Sequence, residues 1–336
     1  MSSASPSAST SPSILLVGAT GNTGTSAVQW LSRALSSSAF PAPAHSASAA
    51  PPRILALTRD VESEAAKKLA QLDHVEVVQK DWTEIDTEWL VQWQVFRVYI
   101  AHHNPQTQFT DESRFLIACK DAKVEYLVKL STNTPFVTPD TPMDYARSHW
   151  AVEQLLRQPE FRSMPTTILR ANVFTTSFLQ SLVDSVKATY QTASSGERLP
   201  IRALISKDAP VAPVDPKDVG AAAGALLALP DPSAHYGRTY HLSGPNDVCG
   251  EDVVHLIEAK LGEKLTVEYQ SMELLNEILS YVSKDLGKAI KLSSTEFLWK
   301  GLCGLRNNPM TQSSPELLEL NIPRTTVQEF IDRAFE

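Results

Sequence analysis

The chain has little cysteine, no basic excess and no long apolar run, and each shortage removes a class of protein. Cys119, Cys249 and Cys303 are the only cysteines among 336 residues, and they are scattered. They make neither a disulfide framework nor a zinc cluster, so no metal site is expected and a reducing compartment is. The formal charge is -8. General nucleic-acid binding depends on basic groups that neutralise phosphates, so no nucleic-acid partner is expected. No apolar stretch approaches the roughly 20 residues that span a bilayer, which argues against a membrane protein. Residues 1–12 are almost all Ser, Ala, Pro and Thr. They have neither the basic start and apolar run of a secretory signal nor the arginines of a mitochondrial presequence. They read as a disordered tail on a cytoplasmic protein.

Apolar residues make up 43% of the chain and charged residues 20%, as in an ordinary globular protein with a substantial core. The organising stretch is Ile14-Leu15-Leu16-Val17-Gly18-Ala19-Thr20-Gly21-Asn22-Thr23-Gly24. Four successive apolar residues predict a strand buried on both faces, hence a parallel sheet. Three glycines spaced three apart follow, and then a helix from Thr25. Gly18 suits a tight turn, Gly21 a close backbone approach to a ligand, and Gly24 tight packing of helix on strand. Amides at such a helix start carry partial positive charge and accept a pyrophosphate. Thr20, Asn22 and Thr23 complete a candidate dinucleotide loop.

The Gly-x-x-Gly-x-x-Gly spacing resembles the extended and atypical short-chain dehydrogenase/reductases. Within them, Gly-Ala-Thr-Gly-Asn-Thr-Gly is similar to the opening of the NmrA-like family. The resemblance implies a Rossmann-type α/β fold: a doubly wound parallel sheet in order 3-2-1-4-5-6 with a smaller C-terminal substrate lobe. It also implies NADP(H) as cofactor, with either reductase chemistry on a small molecule or a nucleotide-sensing role. The expected division is an NADP-binding domain at 13–245, interrupted by a low-complexity insert at 36–52. A substrate lobe at 246–336 would follow, with contributions from 171–210. The Ser/Ala/Pro-rich segments resemble those of fungal members, which often act on natural products such as alkaloids or polyketides.

Ile54 to Leu57 predicts the second strand. With the insert discounted, Thr58-Arg59 falls where that strand meets the adenosine ribose. Arg59 suits charge-assisted bonds to a 2′-phosphate, whereas an acidic residue there, such as the adjacent Asp60, favours a free 2′-hydroxyl. Val75 to Val78 predicts a third strand ending at Asp81-Trp82, which the resemblance places on the adenine side. Asp86 to Trp93 reads as a short helix. Val95 to Ala101 predicts a fourth strand, followed by His102-His103-Asn104. Ligands in doubly wound folds sit outside strand ends, so Ala101 and His102 should face the cofactor and His103 the substrate. Neighbouring side chains of an extended chain diverge, so the two histidines do not make a metal site.

Phe109 to Asp121 has helical periodicity, and a fifth strand from Glu125 ends at Leu130-Ser131-Thr132. Thr141-Pro142-Met143-Asp144 then reads as a helix start, with a Thr cap, Pro first and an acidic residue closing the pattern. Tyr145, His149, Val152 and Leu156 share one face of that helix. Short-chain reductases carry Tyr-x-x-x-Lys here and a Ser about a dozen residues earlier. The resemblance thus puts Ser131, Tyr145 and His149 in the catalytic slots, with His in place of Lys. The Tyr hydroxyl would protonate a carbonyl oxygen. A histidine of ordinary pKa, about 6.5, acidifies it less than a lysine but could itself donate a proton near neutrality. Three readings stay open: an NADP(H)-dependent oxidoreductase with Tyr145 or His149 as proton donor, a redox-neutral or redox-mediated isomerase or cyclase using NADP(H), and a nucleotide-binding regulator without chemistry.

Met164 to Phe174 resembles the family's sixth strand, Thr-x-Leu-Arg-Pro-x-x-Phe, with Ala171 in place of Pro. The resemblance puts Asn172, Val173 and Phe174 beside the nicotinamide. Pro213 to Gly220 resembles a further family element, a strand leading into a helix capped by Asp215. Beyond lie a short strand at Tyr240–Leu242 and a helix from Asp247 to Leu261. Leu265 to Tyr269 and helical stretches at 271–286 and 290–303 should then build a lid. Asn133, Phe178 and Trp299 are substrate-side candidates, and Tyr281 and Phe297 further wall residues.

Overall fold

The computed structural model describes residues 11–37, 51–192, 200–320 and 322–336. Residues 1–10 of the expected tail and 38–50 of the expected insert lie outside them. The chain runs β1 (Ser13–Val17), α1 (Gly24–Ser36), β2 (Arg53–Thr58), α2 (Glu64–Leu69), β3 (Val75–Gln79), α3 (Thr87–Gln92) and β4 (Val95–Ile100). It continues with α4 (Gln108–Asp121), β5 (Tyr126–Ser131), α5 (Asp144–Leu156), β6 (Thr166–Ala171), α6 (Thr175–Thr192), β7 (Ile201–Arg202) and α7 (Pro216–Ala228). The remainder is β8 (Thr239–Leu242), α8 (Gly250–Leu261), β9 (Val267–Glu268), α9 (Met272–Tyr281), α10 (Lys284–Leu292), α11 (Pro315–Glu319) and α12 (Val327–Ala334).

Seven strands form a sheet in the order β3-β2-β1-β4-β5-β6-β8, and the pairings from β3 to β6 are parallel. This is the expected doubly wound order with β8 added beyond β6. The strand order reverses between β1 and β4, so the loops after those two strands flank the switch point where ligands bind in such sheets. β7 and β9 make a separate two-stranded parallel ladder.

The chain divides into two compact units. Among the described residues, one comprises those up to Thr132 with Ser148–Arg170 and Pro216–Tyr240, and the other holds Asn133–Arg147, Ala171–Asp215 and His241–Glu336. In the first, Ile14, Leu15, Leu16 and Val17 are fully buried, as a doubly covered strand requires. Leu55, Val98 and Leu127 of neighbouring strands pack with Phe115 and Leu116 of α4 and with Val152. Helix α7 lies against α1 along a face of small residues. A Cβ on Gly220 would sit 2.1 Å from the Thr23 carbonyl oxygen, and one on Gly224 would sit 2.9 Å from the Trp30 Cβ. Only glycine permits that approach. The buried guanidinium of Arg97 in β4 donates to the carbonyls of Leu227 and Leu229 at the end of α7, where unpaired helix carbonyls collect.

The second unit's core gathers Phe136, Met143, Phe178, Leu182, Ile257 and Ile331. Ser283 accepts from the Leu286 amide and starts α10, so the expected helix over 271–286 is two helices. Asp247 does not open a helix. Its carboxylate accepts from the amides of Leu305 and Arg306 instead, and α8 begins at Gly250. Helix α5 likewise starts at Asp144, later than Thr141-Pro142 suggests. Thr141 is buried and its carbonyl accepts from the Arg147 guanidinium, which holds that residue ahead of the helix.

Candidate functional site

The glycine loop joins β1 to α1 at the switch point. Gly18 has φ +81, a left-handed conformation that favours glycine, and a Cβ there would lie 2.2 Å from the Ala101 carbonyl oxygen. A Cβ on Gly24 would lie 2.0 Å from the Gly18 carbonyl oxygen, so Gly24 closes the loop on itself. The Gly21 amide donates back to Gly18, and Gly21 and Asn22 form the exposed crest, with Thr20 half-buried beside them. The Thr23 hydroxyl is committed to the buried Tyr99 hydroxyl at 3.0 Å, so Thr23 offers a ligand its backbone only. No acidic residue lies in the first turn of α1. The corner therefore combines close backbone access with an uncompensated positive helix end, which suits a diphosphate.

At the end of β2, the Thr58 hydroxyl is exchanged with the backbone of Asp60. The Asp60 carboxylate accepts from the Glu62 amide within the same turn. The ambiguity between Arg59 and Asp60 is thereby reduced, because one oxygen of the acidic side chain is turned into its own loop. The exposed Arg59 guanidinium makes no hydrogen bond or ion pair among the described residues. Burial and then the Arg59 charge lower the pKa of His103, which puts that exposed histidine within the field of Arg59. Asp81 uses one carboxylate oxygen to cap the turn at Trp82–Glu84. Trp82 stacks on His102 with ring centroids 4.6 Å apart.

Beneath the end of β4 lies a buried polar cluster that sequence reasoning did not assemble. His102 Nε2 lies 2.5 Å from Glu112 Oε1, and its Nδ1 contacts the His103 carbonyl. Glu112 Oε2 lies 2.7 Å from Lys129 Nζ, with both side chains 1% exposed. Burial acts to raise the Glu112 carboxyl, but the Lys129 ammonium and His102 outweigh it and hold it well below the usual carboxylate range. Lys129 Nζ also reaches His149 Nδ1 at 3.3 Å and the Leu130 carbonyl at 3.2 Å. The Gln108 amide nitrogen lies 3.1 Å from Glu112 Oε1 and 3.2 Å from His149 Nδ1. Burial and the Lys129 charge keep the His149 pKa well below its ordinary value. The expected near-neutral proton donor is thus a neutral imidazole. Lys129 interrupts an otherwise apolar strand, Tyr126-Leu127-Val128-Lys129-Leu130, which was the one signal that could have singled it out.

Other candidates fall elsewhere. The Ser131 hydroxyl donates to Glu153 Oε1 at 2.7 Å, and Glu153 is also held by Arg170. Tyr145 is half-buried against the second unit's core. Asn172 spends its whole carboxamide inside that unit: Oδ1 accepts from Asn133 and the Val173 amide, while Nδ2 donates to Ser243 and the Cys303 carbonyl. Its side chain, and that of its donor Asn133, are structural ties. Val173 and Phe174 are half-buried, and Phe174 bridges to Val214. Phe178 is a core residue, Phe297 packs edge-on to Phe136, and Trp299 donates its indole N–H to the Leu204 carbonyl. Tyr281 is 70% exposed. No group of three or more metal-ligating side chains occurs among the described residues, and no helix there is long and apolar enough to cross a membrane.

A glycine corner at the switch point of a parallel sheet in this order defines a Rossmann-like α/β protein. The sequence pattern of the NmrA-like family matches residues 10–331, and the chain belongs to that family. It is 32% identical over 171 residues to a (4-alkanoyl-5-oxo-2,5-dihydrofuran-3-yl)methyl phosphate reductase of Streptomyces griseus. That match covers 51% of this chain and only 54% of the relative's length. The fold is similar to that of the Citrobacter sp. triphenylmethane reductase complexed with NADP(H), with TM-score 0.68 and 20% identity over 96% of this chain and 99% of that one. It is similar also to an Escherichia coli NADPH-dependent quinone oxidoreductase complexed with NADPH, with TM-score 0.70 and 19% identity over 96% and 100%.

Proposed function

We propose that the protein is an NADP(H)-dependent oxidoreductase that transfers hydride to or from a sizeable apolar metabolite. The observation that carries this reading is Arg59, a guanidinium without a partner among the described residues at the end of β2, beside an aspartate already turned into its own loop. The reductase relative and the two cofactor-bound oxidoreductases of like fold support it. On this reading the first turn of α1 holds the diphosphate and Arg59 the 2′-phosphate, with Asp81 and Trp82 toward the adenine. Ala101, His102, Leu130 and Ser131 stand at the strand ends that face the rest of the cofactor. The nicotinamide of this cofactor, when bound, would supply the hydride to the substrate or accept it from it. Tyr145 supplies the proton to the substrate oxygen, and His149 acts as a neutral hydrogen-bonding group, since its surroundings disfavour the imidazolium.

Titration with NADPH and NADH tests the carrying observation. Arg59→Ala should weaken NADPH by about 1.5–3 kcal/mol, roughly 10- to 150-fold, and leave NADH within about twofold. Equal affinity of the unaltered protein for both coenzymes overturns the assignment. Nicotinamide absorbance followed with enones, imines and ketones tests the chemistry, and Tyr145→Phe should remove turnover without weakening NADPH. Substrate conversion without net NADPH consumption would instead mark an isomerase or cyclase. The neutral His149 in the lysine's slot favours one second reading, a nucleotide sensor, whose signature is tight NADPH binding with no turnover.

A further inference from the structure

We propose that Lys129 is a positioning residue that acts through His149 to fix the carboxamide of Asn104 with its NH2 group outward, as a hydrogen-bond donor to nucleotide bound at the end of β4. The donor role rests on the functional reading above; the positioning does not.

The argument follows the hydrogens. Lys129 Nζ and the Gln108 amide nitrogen have only hydrogens to offer, and both lie within 3.3 Å of His149 Nδ1. Nδ1 must therefore be bare, and the proton of a neutral ring sits on Nε2. Nε2 faces Asn104 at 3.1 Å, so the atom turned toward it must be the acceptor Oδ1. The amide nitrogen of Asn104 is then directed away from the cluster, where it has no partner among the described residues, on an exposed residue. Asn104 stands three residues beyond Ala101, whose carbonyl meets the glycine loop at Gly18. The donor is thus carried on the loop that flanks the diphosphate corner.

The charged and titratable groups around His149 bear out one protonation state. Lys129 comes from β5, Glu112 from α4 and His102 from the loop after β4. Lys129 and His102 oppose a proton on His149, while Glu112 favours one and is itself paired with Lys129. Gln108 and Asn104 are uncharged. The acceptor-only Glu112 carboxylate keeps the Gln108 amide nitrogen turned toward Nδ1, so releasing the constraint on Nδ1 takes replacement of both Lys129 and Glu112.

Nitrogen-15 NMR of histidine-labelled full-length protein without nucleotide tests the positioning, with His149→Asn used to assign the signal. His149 should show a bare Nδ1 and a protonated Nε2, unchanged between about pH 5 and 8. A protonated Nδ1, or titration with an ordinary midpoint in that range, overturns the proposal on the unaltered protein alone. Lys129→Met with Glu112→Gln removes the ion pair without stranding a charge, and in that double variant His149 should titrate or exchange tautomers. If it stays locked, Lys129 does not position it. NADPH affinity tests the donor: Asn104→Asp, which replaces the outward donor by an acceptor, should weaken NADPH about tenfold or more. Unchanged affinity overturns the donor role. If the unaltered protein binds no NADPH, the cofactor reading and the donor role fall together, while the NMR result still decides the positioning.

Discussion

Lys129→Met should be among the most damaging single substitutions in the first unit. The ammonium it removes lies 2.7 Å from a carboxylate that is 1% exposed. Breaking a buried pair by deleting one partner costs about 3–5 kcal/mol, because the remaining charge is left in a poor solvent. Glu112 would still have His102 and Gln108, so the lower end, about 3 kcal/mol, is expected. Glu112→Gln strands the Lys129 ammonium in the same buried site, so a loss toward the upper end of about 3–5 kcal/mol is expected. The double variant buries no charge from the pair, and neutral replacements of such pairs are often close to neutral, so it should lose only about 1–2 kcal/mol. Equilibrium urea denaturation of the four proteins measures these values. Losses that add to within about 0.5 kcal/mol, or single variants that lose less than about 1 kcal/mol, would refute the claim that the two groups depend on each other.

Other outcomes follow from the same structure. The folded His149 pKa lies below its unfolded value near about 6.5, so on acidification the unfolded chain takes up the proton first. Stability should fall below that pH, by up to about 1.4 kcal/mol per unit, and His149→Asn should flatten the slope. The depressed Glu112 carboxyl acts in the same direction at lower pH: its contribution is complete above about pH 4.3 and lost as pH falls toward the folded value. Gly220→Ala should lower stability by about 1–3 kcal/mol in thermal melts, since its Cβ would meet backbone rather than a movable side chain. Asn172→Ala should cost about 1–3 kcal/mol for each buried partner it strands, read by denaturation, while NADPH affinity stays unchanged because the carboxamide has no bond to spare.

The features legible in the sequence were local ones. Ile14–Val17 and the glycines that follow announce strand, turn and helix start within a dozen residues, while the strand order came from the family resemblance that those glycines carry. Arg59 was legible as a type of residue at a known distance, but whether Asp60 competed with it depended on a turn that only coordinates display. Lys129 and Glu112 read as two lone charges, because their contact joins β5 to α4. Local rules misled at Thr141-Pro142, where cap chemistry was outweighed by burial and by the Arg147 contact. They misled again at Asp247, whose partners lie at Leu305 and Arg306. Asn172 sat in a matching strand, yet its amide is spent on Asn133, Ser243 and Cys303, none of them near it in sequence.

The contact between α1 and α7 couples the glycine loop to a distant part of the chain. Ser26 donates to the Lys217 carbonyl across 191 positions of chain, one turn below the crest of the glycine loop. Methyl-sized additions along the facing side of α7 would therefore shift the anchored end of α1, and with it the backbone of the glycine loop. Substitutions in that alanine-rich segment can therefore move the glycine loop without altering any of the loop's own residues.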